Sequence, residues 1–239
     1  MRCSPRAFTL LEVLIVAAMI GILMALLSPT LARVKHASRR AASLVNIRTH
    51  ATAITMYCGD FREVFPFLTD PDATYSVLRC GERAQQAEYF WLSFLWHLGL
   101  ADRYYEGVCD SPVFWPPGIR SSAATSYLYS PTSFAAPEYW NPLTRIGPSQ
   151  WRAVRQAEVL FPSRKGILWN RAASPGLTLE YPIGLPEAGF IDGSAGVYES
   201  VRFLTPYQNG EGSFPGSYFS GYGLPVLHTI DGVRGRDLP

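Results

Sequence analysis

The feature that most constrains this chain is an apolar run that begins almost at its N-terminus. From Phe8 to Leu27, FTLLEVLIVAAMIGILMALL, twenty residues carry a single charge, Glu12. As an α-helix such a run is about 30 Å long, the thickness of a bilayer's hydrocarbon core. Twelve of the twenty are Phe, Leu, Ile or Val, and at about 0.3–0.6 kcal/mol each they favour insertion by about 4–7 kcal/mol. A carboxylate opposes this by about 3 kcal/mol at the bilayer centre, and by less near the edge where Glu12 stands. Insertion wins, and the run reads as a membrane span.

Three kinds of segment could look like this. A removable secretory signal has an apolar region of about 7–15 residues followed by a small-x-small cleavage site. This run is longer, and Thr30-Leu31-Ala32 makes a weak site. A plain anchor leaves the charge at Glu12 accidental. In the third kind, a short leader is cut away before the apolar run and the run is kept.

The residues around the start of the run favour the third. Ala7-Phe8-Thr9-Leu10-Leu11-Glu12-Val13 resembles the prepilin-type cleavage and methylation motif of type IV pilins and type II secretion pseudopilins. Its usual form is Gly followed by Phe-Thr-Leu-Ile-Glu, and Ala7 stands where that Gly would be. The resemblance implies that a prepilin peptidase in the inner membrane cuts between Ala7 and Phe8 and methylates the new amine of Phe8. It also implies that Glu12 meets the N-terminal amine of a neighbouring subunit within the membrane. The physics agrees, because an intramembrane carboxylate is costly alone and tolerable beside a cation. The positive-inside rule would place the C-terminal side in the cytoplasm, since Arg2 and Arg6 precede the span while Arg33, Lys35, Arg39 and Arg40 follow it. Long domains can cross regardless of flanking charge, and the resemblance puts the leader in the cytoplasm and the head in the periplasm or outside.

Beyond the span, Pro29 removes one helical hydrogen bond and introduces a kink. Val34, Ala37, Ala41, Leu44, Ile47, Ala51, Ile54 and Cys58 then recur at steps of three or four, an apolar stripe with Lys35, Arg39 and Arg48 off it. Residues 30–58 read as an amphipathic helix that continues the span and packs on a head or on neighbouring helices. Gly59-Asp60 is its expected stop. The basic cluster at 33–40 reads as an ordinary solvated or headgroup-facing surface rather than a binding patch.

The remainder reads as a head rich in turns, with most of the chain's Pro and Gly after residue 105. Tyr89, Leu92, Leu95 and Trp96 fall at helical spacing and predict a helix over 84–100. Short runs at 126–129, 166–169, 189–191 and 197–204 predict strands, and Asp192-Gly193 and Asp231-Gly232 are hairpin dipeptides. The expected fold is α+β and pilin-like: a long N-terminal helix packed on a C-terminal antiparallel sheet. Its expected parts are a leader over 1–7, a helix over 8–58 (span 8–27, amphipathic 30–58) and a globular head over 59–239. A second resemblance, to the large planctomycete-type pseudopilin-like group, rests on Arg39-Arg40, Met56-Tyr57, Asp60, Phe65-Pro66, Val108–Pro112, Ser126-Tyr127 and Phe190–Gly193.

The chemistry of an enzyme is not visible. His36, His50, His97 and His228 are scattered without metal-binding spacing, and neither a phosphate-binding loop nor a nucleophile elbow occurs. Asp70 and Asp72 could begin a calcium loop, but its later ligands and glycine are missing. A net charge of +2 gives no sign of a nucleic-acid partner. No cofactor or metal is expected. Of the cysteines, Cys80 and Cys109 could pair in an oxidising compartment, leaving Cys58 over; spacing alone leaves this open. The expected function is a structural filament subunit, partnered by prepilin peptidase, other pilin-type subunits and the lipid bilayer. The alternative is a membrane-tethered binding or enzymatic domain exported with the same signal.

Overall fold

The computed structural model describes residues 10–67, 70, 72–73, 75–119, 125–170, 186–207 and 223–239. Two units divide the chain, one up to Ala41 and one from Ala42 to Pro239.

One helix, α1 (Leu10–Asp60), runs for 51 residues with Pro29 inside it. It ends at Gly59-Asp60, as the dipeptide suggests. Arg62 and Glu63 adopt left-handed conformations, with φ of 55° and 63°, and the Glu63 N–H bonds back to the Cys58 carbonyl at 2.7 Å. A bond of that reach closes the helix as a Schellman turn does, satisfying a terminal carbonyl. In the first unit every residue from Leu10 to Arg39 is exposed.

The second unit holds the end of α1, a hairpin, a second helix and a four-stranded sheet. Strands β1 (Ser76–Cys80) and β2 (Arg83–Ala87) pair antiparallel across a two-residue turn, Gly81-Glu82. Gly81 has φ 55°, a conformation that side chains with a Cβ resist. Helix α2 (Leu92–Tyr104) follows a short 3₁₀ turn at Tyr89–Trp91. The helix expected over 84–100 therefore starts eight residues late, because the hairpin claims 83–87. The sheet is antiparallel with order β3 (Tyr127–Tyr129), β4 (Gly166–Asn170), β5 (Glu187–Phe190) and β6 (Ala195–Val197). Gly193, at φ 82°, turns β5 into β6. Beyond Val197 the expected strand gives way to a 3₁₀ turn at Ser200–Arg202. Asp231-Gly232 opens another 3₁₀ turn rather than a hairpin, although both residues have positive φ.

The core is built where the stripe on α1 meets this sheet. Ile47, Ala51, Ile54 and Cys58 are fully or almost fully buried, and β3, β4 and β5 are buried along their whole length. The closest approach is at Gly189 of β5, where an added Cβ would come within 2.6 Å of Ile47 Cγ2. A glycine there lets helix and sheet touch backbone to side chain. The upper part of the stripe, Val34, Ala37 and Ala41, is exposed. The core half and the exposed half of one stripe thus have different partners to find.

Candidate functional site

The candidate site is α1 itself, whose N-terminal half carries the apolar run and whose C-terminal half is fixed by polar contacts. Among the described residues, α1 is long and apolar enough to cross a membrane. An exposed run of this size must be covered by lipid or by other helices. Glu12 lies in its first turn, while Ala7 and Phe8 lie outside the described residues. Pro29 has no N–H to offer the Ala25 carbonyl, and the neighbouring Thr30 hydroxyl donates to the Leu27 carbonyl at 2.7 Å.

Two polar clusters lock the lower end of α1. In the first, the Ser43 hydroxyl donates to Glu187 Oε2 at 2.5 Å and lies 3.1 Å from the Tyr127 hydroxyl. Asn170 Nδ2 donates to the same Glu187 oxygen at 2.7 Å and to Ser43 Oγ at 3.1 Å. Glu187, Asn170 and Ser43 are all buried, so each of these bonds replaces one to water, and losing a partner would strand the others.

In the second cluster, His50 is fully buried among Trp96, Phe114, Tyr105 and Tyr127. Its Nε2 lies 2.8 Å from the Val113 carbonyl and its Nδ1 lies 2.6 Å from the Tyr105 hydroxyl. A carbonyl only accepts, so Nε2 carries the proton and Nδ1 accepts from the Tyr105 O–H. That is a neutral imidazole. Burial holds its pKa down to about 4, against a smaller upward pull from the Val113 carbonyl. His97 is likewise lowered to about 4 by burial, and His228 to about 3.

These three shifts set an acid limit on the head. A histidine whose folded pKa is depressed takes up its proton more readily when unfolded, so stability falls as pH drops from about 6.5 toward the folded pKa. The loss when the window is crossed is about 3 kcal/mol for His50 and for His97 and about 5 kcal/mol for His228. Thermal melts of the full chain in detergent should show the midpoint falling between pH 6.5 and 4. A His50→Phe variant should flatten part of that slope, and an unchanged slope would contradict the role given to His50.

Cys80 and Cys109 are joined in a disulfide, Cα to Cα 5.9 Å, that ties the hairpin to the segment after α2. Arg83 and Asp110 form an ion pair beside it, both about half exposed and so of little energetic weight. The closed loop spans a sequence separation of 29, which on chain-entropy grounds stabilises by about 3–4 kcal/mol. Cys58 is free and buried, and burial pushes its thiol up to about 12, leaving it unreactive. Asp70 accepts the Asp72 N–H at 3.0 Å in a local turn. Among the described residues no group of three or more His, Cys, Asp or Glu is placed to hold a metal ion.

The polar members of these two clusters were missed by sequence reasoning. A signal existed: Ser43 and His50 interrupt the apolar stripe on its own face, at spacings that place them beside Ile47 and Ile54. Glu187 and Asn170 gave none.

A long apolar N-terminal helix leading into antiparallel sheets is an α+β, pilin-like layout. Residues 3–28 match the family model of the prokaryotic N-terminal methylation motif. The chain therefore carries a prepilin-type methylation motif at the head of its apolar helix, which supports a pilin-like or pseudopilin protein exported with a prepilin signal. The motif implies processing by prepilin peptidase and assembly with pilin-type subunits, and points to a structural protein rather than an enzyme. The motif and helix together are consistent with a single-pass, membrane-anchored chain. No curated protein and no solved structure matches the chain.

Proposed function

We propose that this protein is a structural subunit of a type II secretion pseudopilus or a type IV pilus-like filament. Prepilin peptidase removes residues 1–7 by cutting between Ala7 and Phe8 and methylates the Phe8 amine. Residues 8–27 span the inner membrane, and residues 59–239 form a head in the periplasm or outside. Assembly proceeds by packing of the N-terminal helices, with Glu12 steering register against the Phe8 amine of a neighbour.

The observation that carries this reading is the coincidence of the motif over 3–28 with the start of an unbroken 51-residue helix. Glu12 sits about one helical turn, about 6 Å, beyond Phe8, so a neighbour displaced along its axis by that much brings its Phe8 amine level with Glu12. Pro29 would bend the helix where it leaves the membrane. The Cys80–Cys109 disulfide supports a head outside the cytoplasm, because such bonds persist in oxidising compartments.

Mass spectrometry of the mature chain tests the proposal. The expected N-terminus is N-methyl-phenylalanine at position 8. An intact Met1 in the membrane-inserted protein would reduce the case to an ordinary anchor.

A further inference from the structure

We propose that Arg33, Lys35 and Arg39 form a basic collar on α1 that binds the phosphate groups of anionic phospholipids in the leaflet adjoining the C-terminal end of the span. The inference rests on reading residues 8–27 as that span.

Three observations carry it. The helix is continuous from Leu10 through Pro29 to Asp60, so the turn per residue carries directly from the span to the collar. At 100° per residue, Arg33, Lys35 and Arg39 fall within an arc of about 160°, while Leu31, Val34, Ala37 and Ala41 occupy the other side. A helix divided in this way, cationic on one side and apolar on the other, suits the boundary between headgroups and acyl chains.

The second observation is exposure. Arg33, Lys35 and Arg39 are all exposed, as is the apolar side at Leu31 and Val34. Arg40 is half-buried and is not counted in the collar. The third is the sign of the charge. No Asp or Glu stands between Glu12 and Asp60, so no acid on this helix lies one turn from a collar cation. A merely solvated helix face usually mixes both signs.

Distance along the helix fits a headgroup ligand. Arg33 lies about 9 Å beyond Leu27 and Arg39 about 18 Å beyond it. A headgroup layer is about 5–8 Å deep, and the Debye length at physiological salt is about 8 Å. Helical side chains lean toward the N-terminus, so the stems of Arg33 and Lys35 carry their charges back to the phosphates. Arg39 acts through its long stem, which can lie back along the helix toward the membrane. Cleavage after Ala7 would remove Arg2 and Arg6, leaving the Phe8 amine at one end of the span and the collar beyond the other.

The test uses the full chain in nonionic detergent, titrated with fluorescent phosphatidylglycerol or phosphatidylcholine at low salt. Each surface cation contributes about a fivefold preference for an anionic headgroup, so three give a preference of about 100-fold for phosphatidylglycerol. It should shrink in 0.5 M salt as screening lengths fall below the spacing of the charges. It should drop to about threefold or less in Arg33→Gln/Lys35→Gln/Arg39→Gln. Equal affinity for the two lipids, or a preference kept by the triple variant, overturns the proposal. Complete displacement of lipid by millimolar inorganic phosphate also overturns it, by showing a free-anion site. So does a triple variant that keeps its lipid preference but loses crosslinking to a second copy, which would place a neighbour's acidic surface on the collar. Carbonate extraction of native membranes separates this failure from the deeper one. A chain released by carbonate has no span, whereas a retained chain with no lipid preference has a span but no collar.

Discussion

Replacing Glu12 by alanine is expected to abolish incorporation into filaments while leaving the chain in the membrane and the head folded. The separation of effects follows from where Glu12 lies. Removing a carboxylate makes the span more apolar, so insertion is kept or improved. The head is held by contacts from Ser43 onward, and none of those bonds involves the first turn of α1. What is lost is the proposed charge-assisted hydrogen bond to the Phe8 amine of a neighbour. Such a bond contributes about 1.5–3 kcal/mol, or about 10- to 100-fold in each subunit contact, and the loss repeats at every step of a filament. Immunoblots of sheared filaments and of membranes measure both arms. Glu12→Gln, which keeps a hydrogen-bonding group without the charge, should fall between. Normal assembly of Glu12→Ala would remove the role given to this residue.

Asp237→Ala should destabilise the head by about 3–5 kcal/mol. Asp237 is buried and accepts four hydrogen bonds. They come from the Gly166 N–H at 2.8 Å, the Val226 N–H at 3.0 Å, the Thr229 hydroxyl at 2.7 Å and Lys165 Nζ at 3.1 Å. Lys165 is wholly buried, and its three N–H groups are shared among four acceptors, the Asp237 carboxylate, the Gly166 and Val226 carbonyls and Thr229 Oγ1. Burial lowers the Lys165 pKa and the Asp237 carboxylate opposes that shift. Taking the carboxylate away leaves a cation in the core without its counter-charge. It also loosens Val226, a β-branched residue held at φ 68°, a conformation costing about 1–3 kcal/mol that persists only when its surroundings fix it. Thermal unfolding of the full chain in detergent should show a midpoint lowered by about 10 °C. Lys165→Met/Asp237→Leu should recover part of the loss by removing both charges. A single variant that melts within about 2 °C of the parent would show that the pair holds nothing.

These two residues also mark the limit of what the sequence discloses. Glu12 was legible because it is the lone charge in an apolar run, and the span and the stripe from Val34 to Cys58 were legible by period. The strands at 127–129, 166–170 and 187–190 were legible as short apolar runs between turn residues. Asp237, Lys165 and Glu187 were not. Charged side chains are usually on the surface, and their partners lie 72 and 144 positions away in the chain. The hairpin strand β2 was misread for a different reason. Arg-Ala-Gln-Gln-Ala has good helix formers, and its pairing is imposed by the turn at Gly81 and the bond from Cys80 to Cys109. Local preference lost to a tertiary tie.

The cluster at Asp237 is also a single point of failure. Lys165, Gly166, Val226 and Thr229 all bond to this one carboxylate. Its loss would therefore strand four donors together, and the strand that begins at Gly166 would come away from the segment at 226–229 as one cooperative step.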